Sequence, residues 1–413
     1  MVQYERFTLD NGLRVLVQED QTTPLAAVNI LYDVGSRDET PEKTGFAHLF
    51  EHLMFEGSAN IENFDEPLQR AGGESNAFTN SDITNYYDIL PAANLETAFW
   101  LESDRMLSLD INEESLELQR KVVIEEFKEN YLNQPYGDVW HLISDLAYKV
   151  HPYQWPTIGK NLAHIEAFKL NDVTQFFKKF YVPNNAILVV GGSVTVDQVQ
   201  SLSEKWFGGI PAGKPINRDI PFEPIQTSKR ELEIVADVPG DALYKFYHMG
   251  DRNSTNFYVM DLVSDVLAQG NASLLYRRLV KELSLFTEIE AYTTGTMDAG
   301  LFIIEAKTVP GVDMKRAEKA LDDELARFAE TRILERELLK VKNKQESATV
   351  FSEVNILHRA MNLAYYELIG DAGLINTEMD KYLAVTEADV LLHSQQVFKP
   401  ENCSTIYYYA NKK

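Results

Sequence analysis

The chain has 413 residues, of which 45% are hydrophobic and 25% charged, as is typical of a globular protein. That length exceeds what one hydrophobic core usually serves, so two domains are expected. The formal net charge is −24, and no cluster of lysine and arginine stands out. These features argue against binding to nucleic acid or to an anionic membrane. No apolar run is long enough to cross a bilayer.

The single cysteine, Cys403, excludes an intramolecular disulfide and lies in a strand-like run that suggests packing. A lone thiol fits a reducing compartment. The first residues lack the basic segment and apolar stretch of a secretory signal. Together these features predict a cytoplasmic protein.

Strand patterns open the first half of the chain, where the turn Asn11-Gly12 separates two apolar runs and predicts a hairpin. Alternating or continuous apolar runs predict further strands, and apolar residues at helical spacing predict helices. The predicted strands cover 6–9, 13–17, 26–34, 74–79, 84–90 and 185–192, and the helices cover 95–107 and 113–132.

The second half repeats this order of elements, with strands at 230–236, 242–248 and 301–306, helices at 256–268 and 273–283, and long amphipathic helices that together cover about 313–350. Prolines 211, 215, 221 and 224 mark the best linker candidate. The pattern predicts an α+β protein of two similar α/β sandwich domains, each a mostly antiparallel sheet covered by helices. The predicted domains are 1–212 and 229–413, joined by a linker at 213–228.

One short helix carries residues suited to metal chemistry. The motif His48-Leu49-Phe50-Glu51-His52 follows Thr44, a candidate N-cap, and precedes Gly57, a candidate helix end. His48 and His52 are four residues apart, so they share one helix face and can ligate one zinc ion. Glu51 is close enough to that face to reach a water at the metal. This is the inverted form of the zinc-protease motif.

Catalytic zinc usually has three protein ligands, so one ligand must come from elsewhere. The helix predicted at 113–132 offers Glu125, Glu126 and Glu129. Apolar neighbours at 122, 123 and 127 favour Glu126 as the carboxylate that faces the core. A glutamate on such a helix is ordinarily only solvated, so the residues alone leave the choice open.

The sequence closely resembles the pitrilysin (insulinase) family of metallopeptidases in several stretches besides the histidine motif. These are Thr44-Gly45-Phe46-Ala47, Gly72-Gly73-Glu74-Ser75-Asn76-Ala77-Phe78-Thr79, Thr84-Asn85-Tyr86-Tyr87, Val122-Val123-Ile124-Glu125-Glu126, Pro135-Tyr136-Gly137 and His151-Pro152-Tyr153. The stretches occur in the family's order across the first half of the chain.

The resemblance implies one zinc ion per chain, held by His48, His52 and Glu126, with Glu51 as the general base that activates the attacking water. The N-terminal domain would then be the catalytic one, and the C-terminal domain its homologue without metal. The resemblance also implies that the strand Asn76-Ala77-Phe78-Thr79 lies at a sheet edge and takes a peptide substrate as an added strand.

Two positions depart from the family's pattern. Many relatives carry a second glutamate seven residues before the third ligand, where this chain has Gln119. Gln119 can hydrogen-bond a ligand or water but cannot act as a base. Relatives also present an arginine and a tyrosine in the second domain that hold the substrate carbonyl, where this chain has Val280 and Thr287.

The family includes two-domain subunits that pair, one with the zinc chemistry and one with the arginine and tyrosine. This chain resembles the zinc-bearing subunit, so we expect a homodimer or a heterodimer with a homologous subunit that supplies the missing pair. The expected activity is endopeptidase cleavage of extended peptides or small unfolded proteins. The alternative is a non-catalytic scaffold subunit of the same fold.

Overall fold

Eleven strands form two sheets in the computed structural model, which describes residues 1–411. The strands are β1 Glu5–Thr8, β2 Arg14–Glu19, β3 Leu25–Tyr32, β4 Glu74–Thr79, β5 Thr84–Pro91, β6 Ala186–Gly192, β7 Arg230–Ala236, β8 Ala242–His248, β9 Phe286–Thr293, β10 Leu301–Thr308 and β11 Cys403–Ala410.

Fourteen α-helices connect and cover the sheets in the same part of the chain. They are α1 Phe46–Leu53, α2 Asp65–Arg70, α3 Leu95–Ser108, α4 Glu113–Phe127, α5 Val139–Ala147, α6 Leu162–Glu166, α7 Leu170–Phe180, α8 Val196–Phe207, α9 Thr255–Ala268, α10 Met314–Glu330, α11 Glu335–Ser352, α12 Ile356–Leu368, α13 Leu374–Ala384 and α14 Glu387–Val397. Two π-helical segments, Lys128–Leu132 and Tyr276–Glu282, replace parts of the helices predicted at 113–132 and 273–283. No α-helix among the described residues is long and apolar enough to span a bilayer.

Contacts divide the chain into two compact units. The first unit contains Met1–Asn130, Trp155–Pro221 and Val350–Thr377, and the second contains Tyr131–Gln154, Phe222–Thr349 and the residues from 378 to 411. The domains predicted from the sequence, 1–212 and 229–413, are continuous ranges and stay a prediction about sequence organisation. Each compact unit also takes a segment from the other half of the chain.

The two sheets share one topology. In the first unit the strand order is β1-β2-β6-β3-β5-β4, and in the second it is β7-β11-β8-β10-β9. The pairs β2–β6 and β7–β11 are parallel, and all other neighbours among the described strands are antiparallel. The repeat predicted from the order of elements is therefore a repeat of sheet topology, with β1 added in the first unit.

A helix from the other half of the chain covers one face of each sheet. In the first unit α12 packs on β3 and β6, where Leu363 and Ala364 are fully buried. In the second unit α5 packs on β8 and β11 and buries Ile143 and Ala147. The apolar residues of α5 and α12 are buried only when each helix packs on its sheet. This burial favours the placement of each helix in the unit formed mainly by the other half of the chain.

A buried ion cluster ties α10 to the second sheet. Glu318 on α10 accepts hydrogen bonds from Nζ of Lys229 at 2.9 Å, Nζ of Lys245 at 3.2 Å and the hydroxyl of Tyr407 at 2.9 Å. Lys245 is almost completely buried. Burial alone would raise the pKa of Glu318, but the donors Lys229 and Tyr407 and the charge of Lys245 lower it to about 2. The carboxylate is thus ionised throughout the neutral range and compensates a buried ammonium group.

Glu318→Gln is expected to destabilise the protein by about 3 kcal/mol at pH 7, because Glu318 has a lower pKa when folded than when unfolded. This contribution is present above the unfolded pKa of 4.5 and is lost as the pH falls towards 2. Urea unfolding between pH 7 and pH 3 should therefore show the difference from the wild type shrinking. Glu330→Gln, an exposed change on the same helix, serves as control. A difference independent of pH would contradict the assignment.

Candidate metal centre

Helix α1 begins at a residue that only glycine suits. Gly45 has φ +98°, and a Cβ there would lie 2.9 Å from the carbonyl oxygen of Ile158. The predicted N-cap, Thr44, is wrong, since Gly45 occupies that position and no side chain of its own caps the helix. The predicted end at Gly57 is also wrong, because the helix ends at Leu53.

The carboxylate of Glu39 takes over the capping role at the start of α1. Its two oxygens accept the N–H groups of Gly45 and Ala47, each at 2.9 Å. Burial raises the pKa of Glu39 to about 8, and the two N–H donors oppose that rise. Glu39 therefore fixes the backbone immediately before His48. A single sequence offers only a weak signal for such a residue, an acidic side chain some way before a helix.

Aromatic packing fixes the opposite face of α1. The ring of Phe46 lies 4.0 Å from that of Phe168, and the ring of Phe50 lies 5.3 Å from that of Phe176. The hydroxyl of Tyr86 on β5 donates to the carbonyl oxygen of Phe50 at 3.0 Å. Burial of this face fixes the rotation of α1 about its own axis, so that its two histidines face α4.

Helix α4 supplies the third side chain of the candidate metal group. Nε2 of His48 lies 3.7 Å from Oε2 of Glu126, and Nε2 of His52 lies 3.4 Å from the same atom. The ligand atoms of the three residues all lie within 4.8 Å of one another. Bonds of about 2.1 Å at tetrahedral angles would place ligand atoms roughly 3.4 Å apart. The three side chains therefore fit a tetrahedral zinc ion with one position left for water or substrate.

The pKa shifts of His48 and Glu126 also suit a metal. Burial lowers the pKa of His48 to about 4, although the charge of Glu126 opposes this. The hydrogen bond from His52 lowers the pKa of Glu126. A neutral imidazole and an ionised carboxylate are the forms that bind zinc. The buried Nδ1 of His48 has no hydrogen-bond partner among the described residues.

Glu51 lies beside the three ligands, near the end of β4. It is half-buried, and burial raises its pKa while Thr79 and His52 oppose the rise. A carboxylate with a raised pKa accepts a proton more readily, which suits a general base near neutral pH.

The predicted substrate strand, Asn76-Ala77-Phe78-Thr79, lies within β4 at the edge of the first sheet. Among the described residues β4 pairs only with β5, so its other side is free to accept a strand. The strand also contacts α1. Asn76 and Phe78 are exposed, and the side-chain oxygen of Asn76 accepts the N–H of Ala77 at 2.8 Å.

The positions that depart from the family pattern lie elsewhere. Gln119 on α4 donates to Glu56, and no hydrogen bond joins it to a predicted ligand in the described chain. Val280 packs against the core of the second unit. The hydroxyl of Thr287 on β9 donates to the carbonyl oxygen of Lys307 at 3.2 Å. No arginine or tyrosine occupies either of the last two positions.

The corresponding helices of the second unit hold an ion pair in place of a metal group. Helix α9 follows β8 as α1 follows β3, and α11 follows α10 as α4 follows α3. Nζ of Lys344 on α11 lies 2.7 Å from Oδ1 of Asp265 on α9. Within residues 1–411, His48, His52 and Glu126 are the one group of three side chains that could hold a metal.

Glu39→Ala is expected to lower the free energy of unfolding by at least about 2 kcal/mol, because two buried N–H groups lose their acceptor. Zinc affinity should fall as well, since the start of α1 is no longer fixed. Thermal unfolding with and without zinc measures both effects. Glu42→Ala is the matched control, because Glu42 is exposed and lies in the same loop. Equal behaviour of the two variants would refute the capping role.

Comparison with known proteins shows the family to which the chain belongs. Residues 14–160 match the family described as "Insulinase (Peptidase family M16)", and residues 167–345 match "Peptidase M16 inactive domain". The zinc protease PqqE of Helicobacter pylori is 30% identical over 410 residues, which cover 98% of this chain and 92% of that protein. The chain therefore belongs to the M16 (insulinase) family of peptidases.

A crystal structure of a protease from Helicobacter pylori superimposes with a TM-score of 0.94 at 28% identity, covering 99% of this chain and 100% of that one. The predicted fold, α+β with two similar domains, is confirmed. Human cytochrome b-c1 complex subunit 1 is 28% identical over 205 residues, which cover 49% of this chain and 42% of that protein.

Proposed function

We propose that this protein is a zinc-dependent endopeptidase that cleaves extended peptides or small unfolded proteins. The observation that carries the proposal is the convergence of His48, His52 and Glu126 at distances suited to one zinc ion, with Glu51 beside them. Because this is the one such group within residues 1–411, the proposal includes one zinc ion per chain.

Zinc, when bound, supplies a Lewis acid that polarises the scissile carbonyl and acidifies the attacking water. Glu51 takes the proton of that water on its carboxylate and later delivers it to the leaving amine. Burial of Glu51 raises its pKa and so favours both transfers near neutral pH. His48, His52 and Glu126 provide the neutral and anionic donors, and their fixed positions keep the reacting groups aligned.

The free edge of β4 supports binding of the substrate as an added strand. Main-chain pairing along Asn76, Ala77, Phe78 and Thr79 would align a peptide with little demand on its sequence. Thr79, at the end of this strand, lies close enough to Glu51 for its hydrogen bonding to lower the pKa of that carboxylate. An incoming strand would thus run towards the catalytic carboxylate. The side chain of Asn76 must release the N–H of Ala77 if that group is to pair with the substrate.

We further propose that full activity requires a homologous partner subunit, either a second copy or a related chain. We also propose that the protein acts in the cytoplasm. Val280 and Thr287 cannot hold a substrate carbonyl, so an arginine and a tyrosine would have to come from the partner. A relative named as a complex subunit is consistent with assembly. A purified chain that, without a partner, cleaves peptides at typical enzyme rates of about 1–10³ per second would contradict this proposal.

A non-catalytic scaffold subunit is the second candidate, because one relative is named as a cytochrome b-c1 subunit. The complete set of ligands and the base favours catalysis, since a scaffold has no need of it. Metal analysis of natively purified protein separates the two. One zinc per chain, with cleavage of a quenched peptide library that a chelator removes and zinc restores, supports the peptidase. Absence of stoichiometric zinc supports the scaffold.

A further inference from the structure

A pocket of about 240 Å³ opens on the second unit where the end of α10, the start of α11 and the π-helical segment Tyr276–Glu282 meet. Four arginines line it, in a chain whose net charge is −24. They are Arg277, Arg327, Arg332 and Arg336. Like charges gathered at one mouth repel each other, so their clustering points to an anionic ligand.

Two of these arginines, Arg277 and Arg332, are not held in an ion pair by the described residues. The pocket also contains Glu324 and Glu337, but both carboxylates form ion pairs with cations that do not line the pocket. Nε of Arg278 lies 3.2 Å from Glu324, and Nζ of Lys340 lies 3.1 Å from Glu337. Arg327 and Arg336 pair with the same two carboxylates. Arg277 and Arg332 are exposed and form no ion pair with any described residue, although the charge of Arg277 helps to lower the pKa of Glu337.

The base of the pocket is apolar. Val266 and Phe328 are buried there, Leu274 and Ile333 are half-buried, and Leu334 is 59% exposed. A bare inorganic anion would leave this apolar surface in water, and a purely apolar ligand would leave the guanidinium groups without a counter-charge. The lining therefore fits a molecule that joins a carboxylate to an apolar group, because guanidinium and carboxylate pair in bidentate fashion.

We propose that this pocket binds the C-terminal residue of a peptide whose last side chain is apolar. The volume is below the roughly 300–1,000 Å³ of sites for drug-sized ligands, which suits one or two residues. Arg277 and Arg332 hold the terminal carboxylate, and the apolar base takes the side chain. The choice of a peptide as the source of the carboxylate rests on the proposed peptidase function.

The test uses the full chain with Glu51→Gln, so that cleavage of the peptide is slow on the time scale of the titration. Fluorescence anisotropy follows an N-terminally labelled Ala-Ala-Ala-Leu peptide with a free carboxylate and the same peptide as its amide. We expect the free acid to bind at least tenfold more tightly. Arg277→Gln with Arg332→Gln should abolish that preference, and so should Arg332→Glu alone. Arg316→Gln, at an exposed arginine of α10 outside the pocket, should retain it.

Equal binding of acid and amide, or an unchanged preference in both pocket variants, overturns the proposal. Competition identifies the source of the carboxylate. Displacement by octanoate at lower concentration than by N-acetyl-leucine would assign the pocket to a fatty acid and also overturn it. Cleavage by the unsubstituted chain is measured separately, so the peptidase proposal and this binding site can fail independently.

Discussion

Glu51→Gln is expected to reduce peptide cleavage by about 10² to 10⁴-fold, the contribution usual for a general base, while zinc remains bound. Glutamine keeps the size and one carbonyl oxygen of glutamate but cannot accept the proton of the attacking water. The three ligands are untouched, so zinc content should stay at the wild-type value. Cleavage of a quenched peptide and zinc content, measured on the same preparation with the same partner, check both statements.

Glu125→Gln is the matched control for this change. Glu125 lies on α4 next to Glu126, its side chain is 72% exposed, and its carboxylate pairs with Lys128. It should cleave peptide like the wild type. Wild-type cleavage by Glu51→Gln would show that another group removes the proton.

Glu126→Gln is expected to lower zinc affinity by more than about 10–100-fold, because it neutralises the only anionic ligand of the group. A reduction of about 10–100-fold is common when the substituted residue only hydrogen-bonds to a metal ligand. Cleavage should fall with zinc occupancy. Competition with a chromophoric chelator measures the affinity. Zinc at 100 times the wild-type Kd should stabilise the wild type by about 2.7 kcal/mol and the variant far less.

Glu125→Gln again provides the control, since it changes the same charge one residue away. If Glu125→Gln lost zinc and Glu126→Gln kept it, the ligand would be the other carboxylate that the sequence offered. Glu129 is the third candidate, and it lies in the π-helical segment after α4. The observed distances from Glu126 to both histidines argue against either alternative.

Most of the strands could be predicted from the sequence, because their apolar residues alternate or run continuously. Helices α2, α5 to α8 and α12 to α14 were not predicted. The strands β7 and β8 have the predicted bounds, and α3 differs from its prediction by one residue at its end. Strand β9 was not predicted. Its buried residues Phe286, Ile289 and Ala291 are separated by exposed ones in an irregular pattern, so no strict alternation marks it.

The site was predictable where the spacing of residues fixes their geometry. His48 and His52 share a helix face through the period of the helix alone. The choice of Glu126 over Glu125 depended on resemblance, because which face of α4 turns inward is set by packing. Val122, one of the apolar neighbours used in that choice, is 41% exposed, whereas Val123 is fully buried. The capping role of Glu39 was not predicted, because it depends on the tertiary path of the loop before α1, which brings this side chain back to the start of the helix.

The position of α12 bears on how this protein is made. The metal group lies near the N-terminus, yet α12, at Ile356–Leu368, covers the face of the same sheet. Its Arg359 donates to the side-chain oxygen of Gln18 at 3.0 Å. During synthesis the first unit can therefore finish folding only after residue 368 has left the ribosome. Until then the apolar face of β3 and β6 is exposed, and chaperones could bind to it. If synthesis ended prematurely, the fragment would keep this face exposed and would be prone to aggregate.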